Sequence, residues 1–193
     1  MTNHPDQHRR RSIRLPDYDY TTTGAYFVTI CAHEHRCLFG DVMDGRVRLN
    51  EAGMVVQAVW DELPVHYPHV EIDTFVVMPN HVHGIIILTD SPVGAAPRGR
   101  PNNCGQARGP APTMSLPDVV HRFKTMTTKR YTDGVKQSKW PPFDKHLWQR
   151  GYYEHVVRRT DKMNCIREYI LQNPLCWEFD RENPHLDKSG GPL

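Results

Sequence analysis

The chain has 193 residues, a formal net charge of +2 and a hydrophobic fraction of 38%; its mean hydropathy is -0.62, and no apolar run approaches the roughly 20 residues of a membrane helix, so a membrane-spanning protein is not expected. That charge is too small to mark a nucleic-acid binder by itself, and five cysteines (Cys31, Cys37, Cys104, Cys165 and Cys176) without a CxxC pair argue against a disulfide framework or a zinc ribbon, leaving reduced thiols as the expectation. The basic stretch from His8 to Arg14 has no apolar segment behind it, which argues against a secretory signal and gives a cytoplasmic location as the expectation.

Residues 1–24 read as a basic arm carrying Arg9, Arg10, Arg11 and Arg14. Ala25 to Cys31 (AYFVTIC) has the β-branched, apolar composition of a buried strand. Cys37 to Leu49 predicts a hairpin, since Asp44-Gly45 supplies the positive φ of a tight turn. Asn50 suits an N-cap, and Met54, Val55, Ala58, Val59 and Leu63 recur at helical spacing until Pro64 stops the pattern. Val70 to Met78 and Val82 to Leu88 are two strand-like runs that Pro79-Asn80 joins as an antiparallel hairpin.

Ser91 to Met114 holds five prolines, four glycines and three arginines without periodicity, the composition of a mobile loop. Ser115 caps a second helix expected to reach about Tyr131, with Leu116, Val119, Val120 and Phe123 on one face. Tyr152 to Val157 is a further strand, and Thr160 caps a last helix running to about Gln172, with Pro174 just past its end. In order, the core is βαββαβ plus an extra helix. That is an α+β, ferredoxin-like antiparallel sheet with an added hairpin and a C-terminal helix.

His81-Val82-His83 lies on a strand, where side chains at i and i+2 share a face while the apolar residue between them turns to the core. Two imidazoles can therefore converge on one cation. Imidazole suits Mn or Zn and Mg prefers oxygen, so the pair alone leaves the metal open and calls for a third ligand. Tyr169 and Asn173, four apart in the last helix, offer a phenol and a carboxamide to one place. Taken singly, each of these motifs also arises in ordinary strands and helices.

A competing set, Cys31, His33, His35 and Cys37, alternates onto one face if the strand continues. Spread over roughly 20 Å at about 3.3 Å per residue, these cannot surround one ion unless the chain turns, so a structural or exposed role is expected. His66 and His69 read as surface histidines. Tyr152 and Tyr153 are rival nucleophiles, placed in or beside the sheet by their β-rich surroundings.

Over nearly its whole length the chain resembles the REP-associated tyrosine transposases, a branch of the single-tyrosine HUH transposases of bacteria. The resemblance rests on RRRSIRLPDYDYTTTGAYFVTIC, VVMPNHVHGIII, SLPDVVHRFKTMTTKRY, LWQRGYYEHVVR and IREYILQNP. It implies a catalytic domain over residues 25–177 and a tail over 178–193. It further implies His81 and His83 as metal ligands, Asn173 as the third ligand where related insertion-sequence enzymes usually carry glutamine, and Tyr169 as the nucleophile.

The implied cofactor is Mg2+ or Mn2+, and the implied partner is a single-stranded DNA hairpin of the REP type, bound by a monomer or homodimer. Arg9, Arg10, Arg11, Arg14, Arg98, Arg100, Arg108, Lys124, Lys129, Arg130 and Arg150 are candidate DNA contacts. Two alternatives stay open. One is a non-catalytic single-strand-binding sheet presenting Tyr26 and Phe27, although no RNP1-like run is present; the other is a metal-dependent hydrolase that uses water as nucleophile.

Overall fold

Alternation along the central strand decides the architecture. In the computed structural model, which describes residues 18–90 and 114–186, β1 (Gly24–Cys31) sends Tyr26, Val28 and Ile30 into the main core. Phe27 goes into a smaller cluster on the opposite face. β1 lies between β5 (His81–Leu88) and β6 (Tyr153–Val157), and β4 (Val70–Val77) closes the other edge, so the order is β4-β5-β1-β6 with every pairing antiparallel. This is the expected ferredoxin-like arrangement. The two-stranded ribbon of β2 (Gly40–Met43) and β3 (Arg46–Leu49) stands apart as the added hairpin. Its turn has φ of 52° at Asp44 and 68° at Gly45, the pair of positive angles that a primed two-residue turn demands.

Two helices cover one face. α1 (Glu51–His66) starts where the Asn50 side chain accepts the Gly53 N–H at 2.9 Å. It runs past Pro64, where the sequence pattern stops it, because the proline removes a single amide near the end and Tyr67 N–H still reaches Leu63 O. α2 (Leu116–Ser138) opens with a capping box between Ser115 and Asp118 and extends beyond the expected Tyr131. The buried stripe continues through Thr127, Tyr131 and Gly134, and the Trp140 ring lies against Gly134. Between these helices and the sheet sit Trp60, Phe123, Tyr26 and Tyr131, all essentially buried.

Among the described residues, the helix on the other face is α3 (Thr160–Gln172), preceded by Arg159 rather than capped by the Thr160 side chain. Ile170 is its one fully buried residue, packed with Phe27 and Ile85 and flanked by Met163 and Ile166. A second tie comes from β4. Its register shifts between Ile72 and Phe75, and Asp73, inside this irregularity, takes a two-pronged contact from Arg167 on α3, at 2.9 Å and 2.7 Å. α3 therefore covers only part of the sheet and leaves a recess beside the histidine strand. Among the described residues no helix is long and apolar enough to cross a membrane, and Cys31, Cys37, Cys165 and Cys176 are unpaired.

Candidate active site at the open face of the sheet

The recess is built on the face of β1 and β5 that the large core does not use. Period 2 sends Val82 into the core and puts His81 and His83 on the opposite face, both buried. Their Nε2 atoms lie 3.0 Å apart. Antiparallel register sets Thr29 opposite His83 and Cys31 opposite His81, which explains why the Thr29 hydroxyl reaches His83 Nδ1 at 2.8 Å.

Asn80 defines the state of His81. Its amide nitrogen donates to the carbonyls of His35 and Glu182, at 2.9 Å and 2.6 Å. The amide oxygen therefore faces His81 Nδ1, 2.8 Å away, and must accept from it. His81 thus carries its proton on Nδ1 and offers a lone pair at Nε2. Burial, the largest cause, lowers both histidines to about 3, with neighbouring His35 adding to the effect on His81 and His81 to that on His83. At neutral pH both are uncharged, the form that binds metal.

Two buried oxygens complete the set. Asp180 Oδ2 lies 3.7 Å from His81 Nε2, and neither it nor Asn173 Oδ1 has a hydrogen-bond partner among the described residues. A buried carboxylate oxygen and a buried amide oxygen left unmatched beside two neutral imidazoles fit a divalent cation, because each orphan otherwise costs desolvation without return. The ligand atoms of His81, His83 and Asp180 all lie within 4.8 Å of one another.

Tyr169 is half-exposed on α3, with its ring 5.3 Å from that of His83 and 5.9 Å from that of Phe27. Burial first, then the charges of Asp180 and Glu182, raise its phenol above the ordinary 10. Asn173 follows at the end of the helix, still in helical conformation, where a 3-10 turn (Asn173–Phe179) begins. That turn brings Asp180 and Glu182, residues of the expected tail, into the wall of the pocket.

The structure thus gathers His81, His83, Tyr169 and Asn173 around one recess. Tyr152 and Tyr153 also line it, Tyr153 opening β6 rather than riding a helix. Sequence reasoning missed Asp180, Asn80 and Thr29. An amide directly before the histidine pair was a usable signal for Asn80, whereas Thr29 depends on strand register and Asp180 on a turn far along the chain.

A second depression adjoins the first at Gln149 and is lined by His121, Thr125, Thr128, Lys129, His146 and Arg150. Of the expected DNA contacts, Lys129 and Arg150 lie exposed here. Lys124 also lines it but donates to the carbonyls of Gln149 and Gly151, both at 2.8 Å. Arg130 is committed elsewhere, held by both carboxylate oxygens of Glu62 on α1. Arg9, Arg10, Arg11, Arg14, Arg98, Arg100 and Arg108 lie outside the described residues.

The family described as IS200-like transposase matches residues 109–173. An uncharacterised protein of Haemophilus influenzae is 38% identical over 174 residues, which is 90% of this chain and 93% of that one. Among solved structures, the chain is similar in fold to a REP-associated tyrosine transposase bound to a REP hairpin, with a TM-score of 0.52 and 19% identity over 82% of this chain and 70% of that one. A chain from Deinococcus radiodurans described as a transposase overlaps with a TM-score of 0.42 and 18% identity, over 81% and 94% of the two chains.

Proposed function

The chain belongs to the IS200-like transposase family, and from that premise we propose that it nicks and rejoins single-stranded DNA through a covalent bond to Tyr169. The observation that carries this is the convergence, in one recess, of the paired His81 and His83 nitrogens, the unmatched Asn173 and Asp180 oxygens, and the half-exposed Tyr169 phenol stacked edge-on to His83.

His81, His83 and Asn173 would hold the divalent cation, Mg2+ or Mn2+, with Asp180 as a fourth donor. When bound, such an ion would supply Lewis-acid polarisation of the scissile phosphate and a positive charge opposing the burial and the carboxylates that raise the phenol. Asn80 and Thr29 orient the two imidazoles from behind, as outer partners of ligands do. Phe27 and Ile170 fix the position of the helix that carries Tyr169. Its phenol oxygen attacks phosphorus in line with the 3′ oxygen; the P–O3′ bond breaks, the phenol proton is lost, and the leaving oxygen becomes a 3′-OH. The 5′-phosphotyrosine conserves the phosphodiester bond energy, so attack by another 3′-OH rejoins strands and regenerates the phenol.

The substrate we propose is a single-stranded hairpin with a short flanking strand, as the solved relative binds a REP hairpin. The depression with Lys129, Arg150, His121 and His146 provides a polar, cationic track leading into the recess. The catalytic unit in this reading extends beyond residue 177 to include Asp180 and Glu182.

The test is incubation of wild type and Tyr169→Phe with 5′- and 3′-labelled single-stranded hairpin DNA and Mn2+ or Mg2+, resolved on a denaturing gel. A protein adduct carrying the 3′ label, dependent on metal and absent from Tyr169→Phe, is expected. Cleavage that survives in Tyr169→Phe without an adduct would identify a hydrolase instead; binding without cleavage would identify a recognition module.

A further inference from the structure

A second group of ligating side chains stands on the same wall of the recess. Cys31 ends β1, and the chain beyond it does not continue straight: His33–His35 wind into a 3-10 turn with φ of 56° at Glu34 and 53° at His35. Two consecutive non-glycine residues in the left-handed region are uncommon and cost energy, and such strain concentrates at functional positions. Here it turns His35 back toward Cys31 and toward the segment after the second 3-10 turn. His35 Nδ1 lies 2.9 Å and Cys31 Sγ 3.4 Å from the same oxygen, Oε2 of Glu182. The three ligating atoms all fall within 4.8 Å of one another.

One oxygen serves both neighbours: the Cys31 thiol donates to Glu182 Oε2, and His35 Nδ1 stands at ion-pair distance from it. His35 Nδ1 is buried and lacks a partner in hydrogen-bonding alignment despite the 2.9 Å separation from Glu182. Its other nitrogen, Nε2, meets the Gln149 side-chain amide at 2.8 Å. The amide nitrogen is the end that faces Nε2, so a metal at Nδ1 requires the amide to turn and its oxygen to accept the Nε2 proton, which leaves Nδ1 as a lone pair.

We infer that Cys31, His35 and Glu182 bind a second divalent ion, of which Zn2+ is the best match, that pins the Asp180–Glu182 segment against the end of β1. One thiolate, one imidazole and one carboxylate are the donors zinc takes, with a fourth place left for water, whereas Mg2+ would avoid sulfur. Burial keeps the Cys31 thiol protonated without metal; binding forms the Zn–S bond and releases that proton to solvent, and thiolate plus carboxylate neutralise the ion. The two sites are mechanically joined, since Asn80 holds the backbone carbonyls of His35 and Glu182 while it orients His81. This second site stands whether or not Tyr169 is the nucleophile.

The probe is Co2+, added to the full-length protein, because a cobalt–thiolate bond gives a near-ultraviolet charge-transfer band that the histidine and oxygen ligands of the first site cannot produce. We expect the band in wild type, in His81→Ala/His83→Ala, and in a chain that keeps Cys31 while its other four cysteines are serine. It is expected to vanish in Cys31→Ser, and in Glu182→Gln to require at least roughly 10-fold more cobalt, the scale on which even the outer partners of ligands act. Cobalt bound to wild type without a thiolate band, or a band that persists in Cys31→Ser, overturns the inference. The wild-type arm requires no substitution, so a misfolded variant cannot rescue it, and the DNA adduct assay reports separately on the first site.

Discussion

Gly84 follows the histidine pair because the ring of Trp60 occupies the space a side chain would fill. A Cβ at position 84 would lie 2.5 Å and 2.6 Å from two indole carbons and 2.8 Å from a Phe75 ring carbon, against the 3.5–4.0 Å at which carbon atoms attract. The indole has nowhere to go: it is fully buried, stacked on Phe75 with centroids 4.2 Å apart, and met edge-on by Phe123 at 5.6 Å. Forcing extra volume into such a core costs about 1–3 kcal/mol. Removing a glycine from the unfolded chain returns about 0.4–1 kcal/mol, so Gly84→Ala should lose about 1–2 kcal/mol net, from the mid-range of both terms. At roughly 2–4 °C per kcal/mol for a chain of this size, Tm falls by roughly 2–8 °C. Thermal and urea unfolding of Gly84→Ala, Trp60→Leu and the double variant measure this. The double variant should be less destabilised than the sum of the singles, because Leu vacates the contested space. A Gly84→Ala protein within about 0.5 kcal/mol of wild type, or strict additivity in the cycle, would refute the packing argument.

Ile170→Ala removes the one fully buried side chain of α3; we expect a loss of about 2–5 kcal/mol from the packing of this helix, visible as faster amide hydrogen exchange through residues 160–172 than in β1 or β5. Thr127→Val leaves the buried Trp148 Nε1–H without its 2.8 Å acceptor, and urea unfolding should show a loss of about 1–3 kcal/mol. His81 and His83 are depressed from 6.5 to about 3 in the folded chain, so the unfolded state binds protons first. Without metal, their contribution to stability is complete above about pH 6.5 and declines as pH falls toward 3. His83→Gln should flatten the dependence of the urea midpoint on pH across that window, and an unchanged slope would contradict the burial of that ring.

Some of this molecule is local information. The i, i+2 spacing of His81 and His83 places both on one face whatever the neighbours are, and Val82 between them is buried in the core as that period requires. Asp44-Gly45 and Asn50 likewise write their turn and cap into single residues. Errors came where a tertiary contact outweighed a local rule. Pro64 interrupts one hydrogen bond but not the helix, and Tyr131 and Gly134 prolong α2 because Trp140 and the core cover them. The segment after Cys31, read as too extended to gather ligands, winds back through two left-handed residues. Nothing in the run HEH announces that.

The sequence by itself determined the order of elements, the split βαββαβ topology and which residues of the central strands face which way, since periodicities of 2 and 3.6 are properties of the backbone. Only the tertiary structure decided which groups meet those faces. Thr29 reaches His83 through antiparallel register, Asp73 grips Arg167 from an irregularity in an edge strand, and Asp180 and Glu182 arrive from a turn about a hundred residues beyond the histidines. Such encounters depend on how far apart whole elements come to rest, a balance of packing over the entire core that no window of sequence contains.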